Sequence, residues 1–154
     1  MAVYYGWSLY THALFDAQFQ KLINAAETAQ LKRLSTSVES GSEKLLKTLR
    51  YLVVEVIPQD PTRAEYRQGN ALGSNRRHWF RAKFGNGRYR LFFRYNATTK
   101  VIIYAWVNDD ATLRTYGSKT DAYAVFGKML NSDNPPDDWA ELLAACQPAQ
   151  QKGR

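Results

Sequence analysis

The sequence predicts an α+β domain, in which two N-terminal helices form a hairpin packed on a mostly antiparallel sheet and further helices follow at the C-terminus. Two observations predict this class. Apolar residues recur at helical spacing in two stretches before Pro58, and they alternate at period two in three stretches after it. The length of 154 residues suits a single domain covering 1–154, with a folded core at 1–146 and a flexible polar tail at 147–154.

The first half of the chain is predicted to hold the two packed helices. Its elements in order are a short strand at 3–10, a helix from about residue 12, a connection at 35–42, a second helix to Pro58 and a polar loop at 62–78. Ser40 and Glu43 have the spacing of a capping box, which satisfies free N–H groups at a helix start. Proline has no N–H and therefore predicts the end of the second helix at Pro58.

The second half is predicted to hold the main strands and two more helices. Its elements in order are strands at 79–84, 88–96 and 100–108, a loop at 109–118, a helix at 120–130, a linker at 131–136 and a helix at 137–146. The turn Gly85-Asn86-Gly87 joins the first two strands. An Asn-Gly pair between two alternating runs is a strong hairpin signal, so these strands are expected to pair.

This hairpin has an apolar face and a cationic face, because side chains alternate along a strand. The apolar face comprises Phe80, Phe84, Tyr89, Leu91, Phe93 and Tyr95, and the cationic face comprises Arg81, Lys83, Arg88, Arg90 and Arg94. In the third strand the same alternation places Val101, Ile103, Ala105 and Val107 on one face, and Ile102, Tyr104 and Trp106 on the other. We expect helices to cover the apolar face, giving two layers, and solvent to reach the cationic face.

Positive charge is concentrated in one segment of the chain. The whole protein carries +7, and residues 76–119 contain ten Lys and Arg against two Asp. A localised basic patch is typical of nucleic-acid binding, and the interleaved aromatic rings favour it because bases stack on them. A solvated strand face, or a docking surface for an acidic protein, would give the same charge pattern.

Several chemistries lack the residues that they need. Cys146 is the only cysteine, so no intramolecular disulfide can form, and its apolar spacing predicts a buried helix face rather than a reactive thiol. With His12 and His78 as the only histidines, no spacing resembles a zinc site, and no glycine-rich phosphate loop occurs. We therefore expect no metal and no cofactor, and keep His78 as a candidate for a direct role.

The compartment is expected from what the chain does not contain. No stretch resembles a signal peptide, and none reaches the roughly 18 apolar residues of a membrane span. A single cysteine fits a reducing environment. We expect a cytoplasmic protein without a membrane partner.

Metal-free RNA cleavage is a reaction that these residues can support. The ribose 2′-OH attacks its own phosphate, fixed cations stabilise the phosphorane, and a proton must reach the 5′ leaving oxygen. Arginine grips phosphate with two N–H groups, and a lysine crowded by other cations can join proton transfer. Lys119 and Tyr123 share one side of a predicted helix and add candidates, although Tyr123 equally suits the edge of the core.

Several motifs of the chain resemble those of the YhaV toxins. They are Arg81 and Lys83 with the run Gly87-Arg88-Tyr89-Arg90-Leu91-Phe92-Phe93-Arg94-Tyr95, Trp106, the segments 108–117 and 119–123, the early Gly6-Trp7-Ser8-Leu9-Tyr10 and the late Pro135-Pro136-Asp137-Asp138-Trp139. The resemblance covers residues 6–143, which is nearly the whole chain.

The resemblance implies a RelE-like fold and a function. YhaV toxins are type II toxins that cleave mRNA and inhibit translation, and they are neutralised by an antitoxin of the PrlF type. The catalytic residues implied by the wider RelE-like pattern are Arg81, Lys83, Arg90 and Tyr123. The residues predicted to bind RNA are Arg88, Arg94, Arg114, Tyr116 and Lys119. The resemblance implies a basic residue just before the helix of Tyr123, and both Arg114 and Lys119 qualify.

Two alternatives stay open at this stage. One is a toxin resembling ParE, which acts on DNA gyrase and lacks this basic constellation. The other is an RNA-binding module without catalysis. The joint presence of Arg81, Lys83, Arg90 and Tyr123 favours the ribonuclease, whose mRNA substrate is either free or on the ribosome.

Overall fold

A mixed β-sheet forms the middle of the molecule. The computed structural model describes residues 2–32 and 40–149, and six strands lie within them. They are β1 Val3–Tyr4, β2 Trp7–His12, β3 Phe80–Phe84, β4 Tyr89–Asn96, β5 Val101–Val107 and β6 Cys146–Pro148. The order is β1-β2-β5-β4-β3, with β6 also paired to β2, and β2 with β5 is the parallel pair among these strands. The expected mostly antiparallel sheet is confirmed.

Helices lie on both sides of this sheet. They are α1 Ala13–Lys32, α2 Gly41–Tyr51, a π-helical turn Leu52–Val56, α3 Ile57–Gln59, the 3₁₀ turns Ala64–Tyr66 and Ser74–Arg76, α4 Ala122–Asn131 and α5 Trp139–Ala144. The predicted capping box begins α2: the Ser40 hydroxyl accepts from the Glu43 N–H, and the Ser40 N–H donates to the Glu43 carboxylate. Within the described residues, no helix has the length and apolar character needed to cross a bilayer.

The sheet separates two hydrophobic cores. On one face, α1 and α2 bury the apolar residues Phe15, Leu49, Val53, Leu91, Phe93, Ile102 and Tyr104. On the other face, α4 and α5 bury Phe92, Ile103, Ala105, Trp106, Phe126, Leu130 and Leu142. The expectation of two layers was wrong, because the C-terminal helices cover a second apolar surface on the face that we predicted to be cationic and open to solvent.

A β-bulge changes the faces of β5. Phe92 pairs with Trp106 and Phe93 pairs with Tyr104, so Ala105 is the extra residue on its strand. An extra residue reverses the alternation beyond it. Trp106 therefore packs with Phe126 on the α4 face, and Val107 joins the α1 face, contrary to the simple alternation that we predicted.

Two predicted elements near the N-terminus have different boundaries. The strand expected at 3–10 is a short hairpin, because Tyr5 and Gly6 adopt positive φ and turn β1 back onto β2. The second helix keeps regular α geometry only to Tyr51 and continues as the π-helical turn. Pro58 lies in the first turn of α3, where no N–H is needed.

The C-terminal boundary also differs from the prediction. The helix expected at 137–146 ends at Ala144, and Cys146–Pro148 then pairs with β2, so the folded core continues past 146. Cys146 is buried as expected, and burial raises its pKa to about 12, which keeps the thiol protonated. Most of the connection expected at 35–42, and residues 150–154 of the expected tail, lie outside the described residues.

Candidate active site

The predicted catalytic residues of the hairpin lie on one face of the sheet. Lys83 pairs with Arg90 in the register of β3 and β4, and Arg81 pairs with Phe92. This face is not open to solvent as we expected, because α4 covers its middle and the Phe92 and Phe126 rings stack at 4.3 Å. Arg90 is only 6% exposed, whereas Lys83 is exposed at the edge.

Tyr123 lies at the centre of the cationic residues. Its hydroxyl oxygen accepts hydrogen bonds from Nε of Arg81 at 2.9 Å and from Nε of Arg90 at 3.0 Å. The guanidinium carbons of Arg90 and Arg114 lie 5.6 and 5.1 Å from the centre of its ring. The T-shaped contact with Phe92 holds the ring itself. Three of the predicted residues therefore meet at one phenol, which we call the Tyr123 cluster, and Arg114 joins them.

Backbone carbonyls hold the two guanidinium groups in place. Nη1 of Arg81 donates to the Glu65 carbonyl at 2.6 Å, and Nη1 of Arg90 donates to the carbonyls of Gly87 and Tyr89. Nη2 of neither arginine makes a hydrogen bond within the described residues. Because each guanidinium has five N–H donors, both retain donors for a ligand.

Asp121 positions two members of the site. It is the N-cap of α4 and accepts from the Tyr123 N–H at 2.9 Å, and it accepts from Nη1 of Arg114 and from the Thr115 N–H, both at 2.6 Å. Burial acts to raise the pKa of Asp121, but these hydrogen bonds outweigh it and lower the pKa. We did not single out Asp121 from the sequence, although an Asp directly before an apolar helical run is a cap signal.

Asn108 and Asp109 anchor the loop that carries Arg114. The Asn108 side chain accepts from the Arg90 N–H and donates to the carbonyls of Arg88 and Thr112. Asp109 accepts from Lys21, Gln18 and Thr112. The loop is thus fastened both to β4 and to α1.

Asp109 gives the fold a measurable pH dependence. Burial alone would raise its pKa, but the hydrogen bonds from Lys21, Thr112 and Gln18 lower it to about 2. A lowered pKa in the folded state means that the stabilisation is complete above the ordinary pKa of 3.8 and is lost as the pH falls toward 2. We expect Asp109→Asn to cost about 1 kcal/mol of unfolding free energy at pH 7, because Lys21 is exposed and solvent screens the pair.

Urea unfolding of this variant at pH 7, 4 and 3 checks the expectation. The difference in unfolding free energy between wild type and Asp109→Asn should become smaller as the pH falls. Asp110→Asn is the matched control, since Asp110 is the exposed neighbouring aspartate. A difference that stays constant with pH, or that the control reproduces, would contradict this role for Asp109.

Comparison with known proteins identifies the family. Residues 9–147 match the profile of the YhaV toxins, described as toxins with endonuclease activity of toxin–antitoxin systems. The chain belongs to this family. It is 46% identical over 138 residues to Ribonuclease toxin YhaV of Escherichia coli K12 and to Toxin YhaV of Escherichia coli O157:H7, with 89% of this chain and 90% of each relative covered. No solved structure matches the fold at a significant level.

The structure brings some of the predicted site residues together and leaves others apart. Arg81, Arg90 and Tyr123 are in contact, while Lys83 remains exposed two residues from Arg81. Of the two basic residues that the sequence left open, Arg114 packs on the Tyr123 ring and Lys119 is exposed outside these contacts. The endonuclease activity of the family goes against the gyrase-targeting and non-cleaving alternatives.

Two other predicted RNA-binding residues lie at the rim of the Tyr123 cluster. Arg88 is exposed, and its Nε donates to the Arg114 carbonyl at 3.2 Å. Tyr116 is 91% exposed, and the Arg114 guanidinium lies 5.4 Å from the centre of its ring. Both remain available to a ligand that reaches Tyr123.

Arg94 lies apart from the cluster. Its guanidinium is placed between the rings of Trp79 and Trp139, at 5.3 and 5.4 Å, and donates to the Asp137 carbonyl. Burial lowers its pKa, although Asp137 opposes the shift. His78 lies 2.9 Å from the Asp137 carboxylate, beside Trp79. These contacts join β4 to the start of α5, so Arg94 and His78 have internal partners that do not belong to the Tyr123 cluster.

Proposed function

We propose that this chain is a metal-independent endoribonuclease that cleaves mRNA and thereby inhibits translation. The observation that carries the proposal is the Tyr123 hydroxyl, which accepts hydrogen bonds from both Arg81 and Arg90. Two guanidinium groups held on one phenol present paired, fixed N–H donors, the arrangement that recognises a phosphate. The relative from Escherichia coli K12 is named a ribonuclease, which supports RNA as the polymer.

The proposed reaction is an attack of the 2′-OH on the adjacent phosphate. The 2′ oxygen forms a bond to phosphorus as its proton passes to solvent water, and the bond between phosphorus and the 5′ oxygen breaks. The free Nη2 groups of Arg81 and Arg90 stabilise the charge on the phosphorane, as oriented donors do at developing anions. The Tyr123 hydroxyl accepts two hydrogen bonds and keeps its own proton, which is proposed to be donated to a phosphate oxygen.

Lys83 is the proposed donor of the proton to the leaving oxygen. It is exposed, and it lies opposite Arg90 and two residues from Arg81 on the same face. The Lys83 ammonium gives one proton to the 5′ oxygen, and the lysine then takes a proton back from solvent, which has received the 2′-OH proton. The products are a 2′,3′-cyclic phosphate and a 5′-OH.

The rim residues are proposed to hold the RNA on either side of the cut. Arg88, Lys119 and the Arg114 edge provide positive charge, and exposed Tyr116 provides a ring on which a base can stack. Arg94 is not needed for this interface, because two tryptophans and Asp137 already surround it.

The partner of a toxin from a toxin–antitoxin system is its antitoxin. We propose a PrlF-type antitoxin of net negative charge that covers exposed Lys83 and Arg88. Complementary charge would speed association and make the on-rate fall with salt. The substrate is proposed to be cytoplasmic mRNA, on the ribosome or free of it.

Cleavage should persist in EDTA and leave 2′,3′-cyclic phosphate or 3′-phosphate with 5′-OH ends. The reason is that the 2′-OH route needs no metal-activated water, and the described residues contain no group of three or more His, Cys, Asp or Glu that could hold a metal. End-group analysis of a defined RNA after incubation with the toxin measures this. Arg81→Ala protein, purified in parallel, controls for contaminating nucleases. Products with 3′-OH and 5′-phosphate ends, or loss of cleavage in EDTA, would refute the proposed route.

A further inference from the structure

A cleft lies beside the Tyr123 cluster and shares Arg81 and Lys83 with the proposed reaction, whereas the other residues of its lining have no role in that reaction. It has a volume of about 430 Å³, and its lining includes Leu52, Val56, Glu65, Tyr66, Arg67 and Arg81. This volume is in the range of cavities that hold small organic groups. Arg81 belongs to both places, because Nε contacts the Tyr123 hydroxyl while Nη1 contacts the Glu65 carbonyl on the cleft side.

Tyr66, one of the lining residues, has a buried hydroxyl for which the described residues offer no hydrogen-bond partner. Tyr66 is 2% exposed, and its buried hydroxyl oxygen makes no hydrogen bond to the described residues. An unpaired buried hydroxyl costs free energy, and such groups are rare in folded proteins unless a ligand or water completes them. Burial raises the pKa of Tyr66, so the hydroxyl stays protonated and can donate. The ring is held by Phe93 at 5.4 Å.

The rest of the lining combines apolar walls with a charged rim. Leu52 and Val56 come from the π-helical turn, a geometry that is frequent at functional sites. Glu65, Arg67 and Lys83 are exposed at the opening. A flat nucleobase fits such a cleft, because its faces pack on apolar side chains and its edges need a few hydrogen-bonding groups.

We propose that this cleft binds the base of a nucleotide next to the scissile phosphate and determines the sequence preference of cleavage. The inference rests on the proposed ribonuclease, since it takes the phosphate to lie at Arg81. When a phosphate binds the Arg81 guanidinium, the base of an adjacent nucleotide is the part of the RNA that can enter the cleft. Glu65 at the opening then contacts the base edge, and Leu52 and Val56 contact its faces. The Tyr66 hydroxyl, which is buried in the free protein, donates to the base edge after the base displaces the atoms that cover it.

Ala64→Trp tests the cleft by filling it. Ala64 is exposed and lines the cleft, so a larger side chain there reduces its volume without replacing a core residue. Cleavage of a random-sequence RNA pool, followed by sequencing of the ends, should show that the preference at one position beside the cut is lost. KM should rise about tenfold, because a stacked base contributes about 1–3 kcal/mol to binding. The change in kcat should be smaller than the change in KM. Ala71→Trp, at an exposed position of the same loop outside the lining, is the matched control.

Tyr66→Phe is a milder second variant. It removes the unpaired hydroxyl and keeps the ring, so the urea midpoint should equal or exceed that of wild type while the base preference shifts at the same position. Tyr51→Phe, at an exposed tyrosine, is its control. If Ala64→Trp retains the wild-type preference and KM, or if Tyr66→Phe changes stability but not preference, the cleft does not bind a base.

A binding measurement separates this proposal from the proposed function. Fluorescence anisotropy with uncleavable 2′-O-methyl RNA pentamers of different base composition reports the cleft without any cleavage. Base-dependent binding that Ala64→Trp removes supports the cleft even if wild-type protein fails to cut RNA. If the wild-type protein cleaves RNA but binds all pentamers equally, and Ala64→Trp binds them as wild type does, the proposed ribonuclease activity is supported and the proposed base-binding cleft is refuted.

Discussion

Arg81→Ala is expected to lower kcat/KM for RNA cleavage by about 10²–10³-fold, which corresponds to roughly 2.7–4 kcal/mol of barrier. The guanidinium donates to the Tyr123 hydroxyl through Nε, and its Nη2 is the group proposed to bind the phosphorane. The fold should survive, because Arg81 is only partly buried and Tyr123 keeps the hydrogen bond from Arg90. Cleavage kinetics on a defined RNA, with growth arrest after induction, measure the effect.

Arg77→Ala is the matched control for this prediction. Arg77 is an exposed arginine of the preceding loop, and its side-chain hydrogen bonds go to Asn70. Arg77→Ala removes one positive charge, as Arg81→Ala does, but removes no contact with Tyr123. Arg81→Lys should retain part of the activity, because lysine keeps the charge but cannot reproduce the two-point contact. Folded Arg81→Ala protein that cuts RNA at the wild-type rate would show that Arg81 is not part of the reaction.

Asp121→Ala is expected to cost about 3 kcal/mol of unfolding free energy and to lower cleavage as well. The Asp121 side chain is 6% exposed, and its carboxylate pairs with Arg114 and caps α4. Its removal therefore leaves Arg114 without this partner and frees the backbone N–H groups of Thr115 and Tyr123. We place the loss at the lower end of the range for buried pairs, because the Arg114 side chain keeps 26% exposure and can gain water. Urea unfolding measures the free energy.

Asp138→Ala controls for the loss of a helix cap alone. Asp138 caps α5 by accepting from the Glu141 N–H at 3.0 Å, but it is exposed and lies outside the Tyr123 cluster. Asp138→Ala should lower the free energy of unfolding by about 1 kcal/mol and leave the cleavage rate unchanged. If Asp121→Ala is too unstable to study, Asp121→Asn keeps an N-cap and removes the charge opposite Arg114. Equal unfolding midpoints for Asp121→Ala and Asp138→Ala would mean that the pair with Arg114 adds nothing.

Local patterns predicted the elements well. Helical spacing located α1, α2 and α4, and alternation located β3, β4 and β5, each to within a few residues. The capping box of Ser40 and Glu43 was readable because it involves residues only three apart. The candidates Arg81, Arg90 and Tyr123 were also named from the sequence, through the resemblance to the YhaV toxins and the alternation of the hairpin.

Side-chain surroundings were predicted less well. Alternation placed Arg81, Arg90 and Arg94 on one open face, but it carries no information about what covers that face. Helix α4 covers Arg90, and the two tryptophans enclose Arg94. The bulge at Ala105 likewise leaves no trace in a period-two pattern, since the pattern itself assumes regular pairing.

The sequence by itself therefore determined which residues form helices and strands, which side chains share a strand face, and which charges are concentrated between residues 76 and 119. Those properties depend on neighbours within one turn or one strand. Only the tertiary structure decided that the Tyr123 hydroxyl meets Arg81, 42 residues away, and Arg90, 33 residues away. The position of α4 over the sheet depends on the packing of Phe126 against Phe92 and Trp106, and contacts between such distant residues follow from how the whole chain buries its apolar surface.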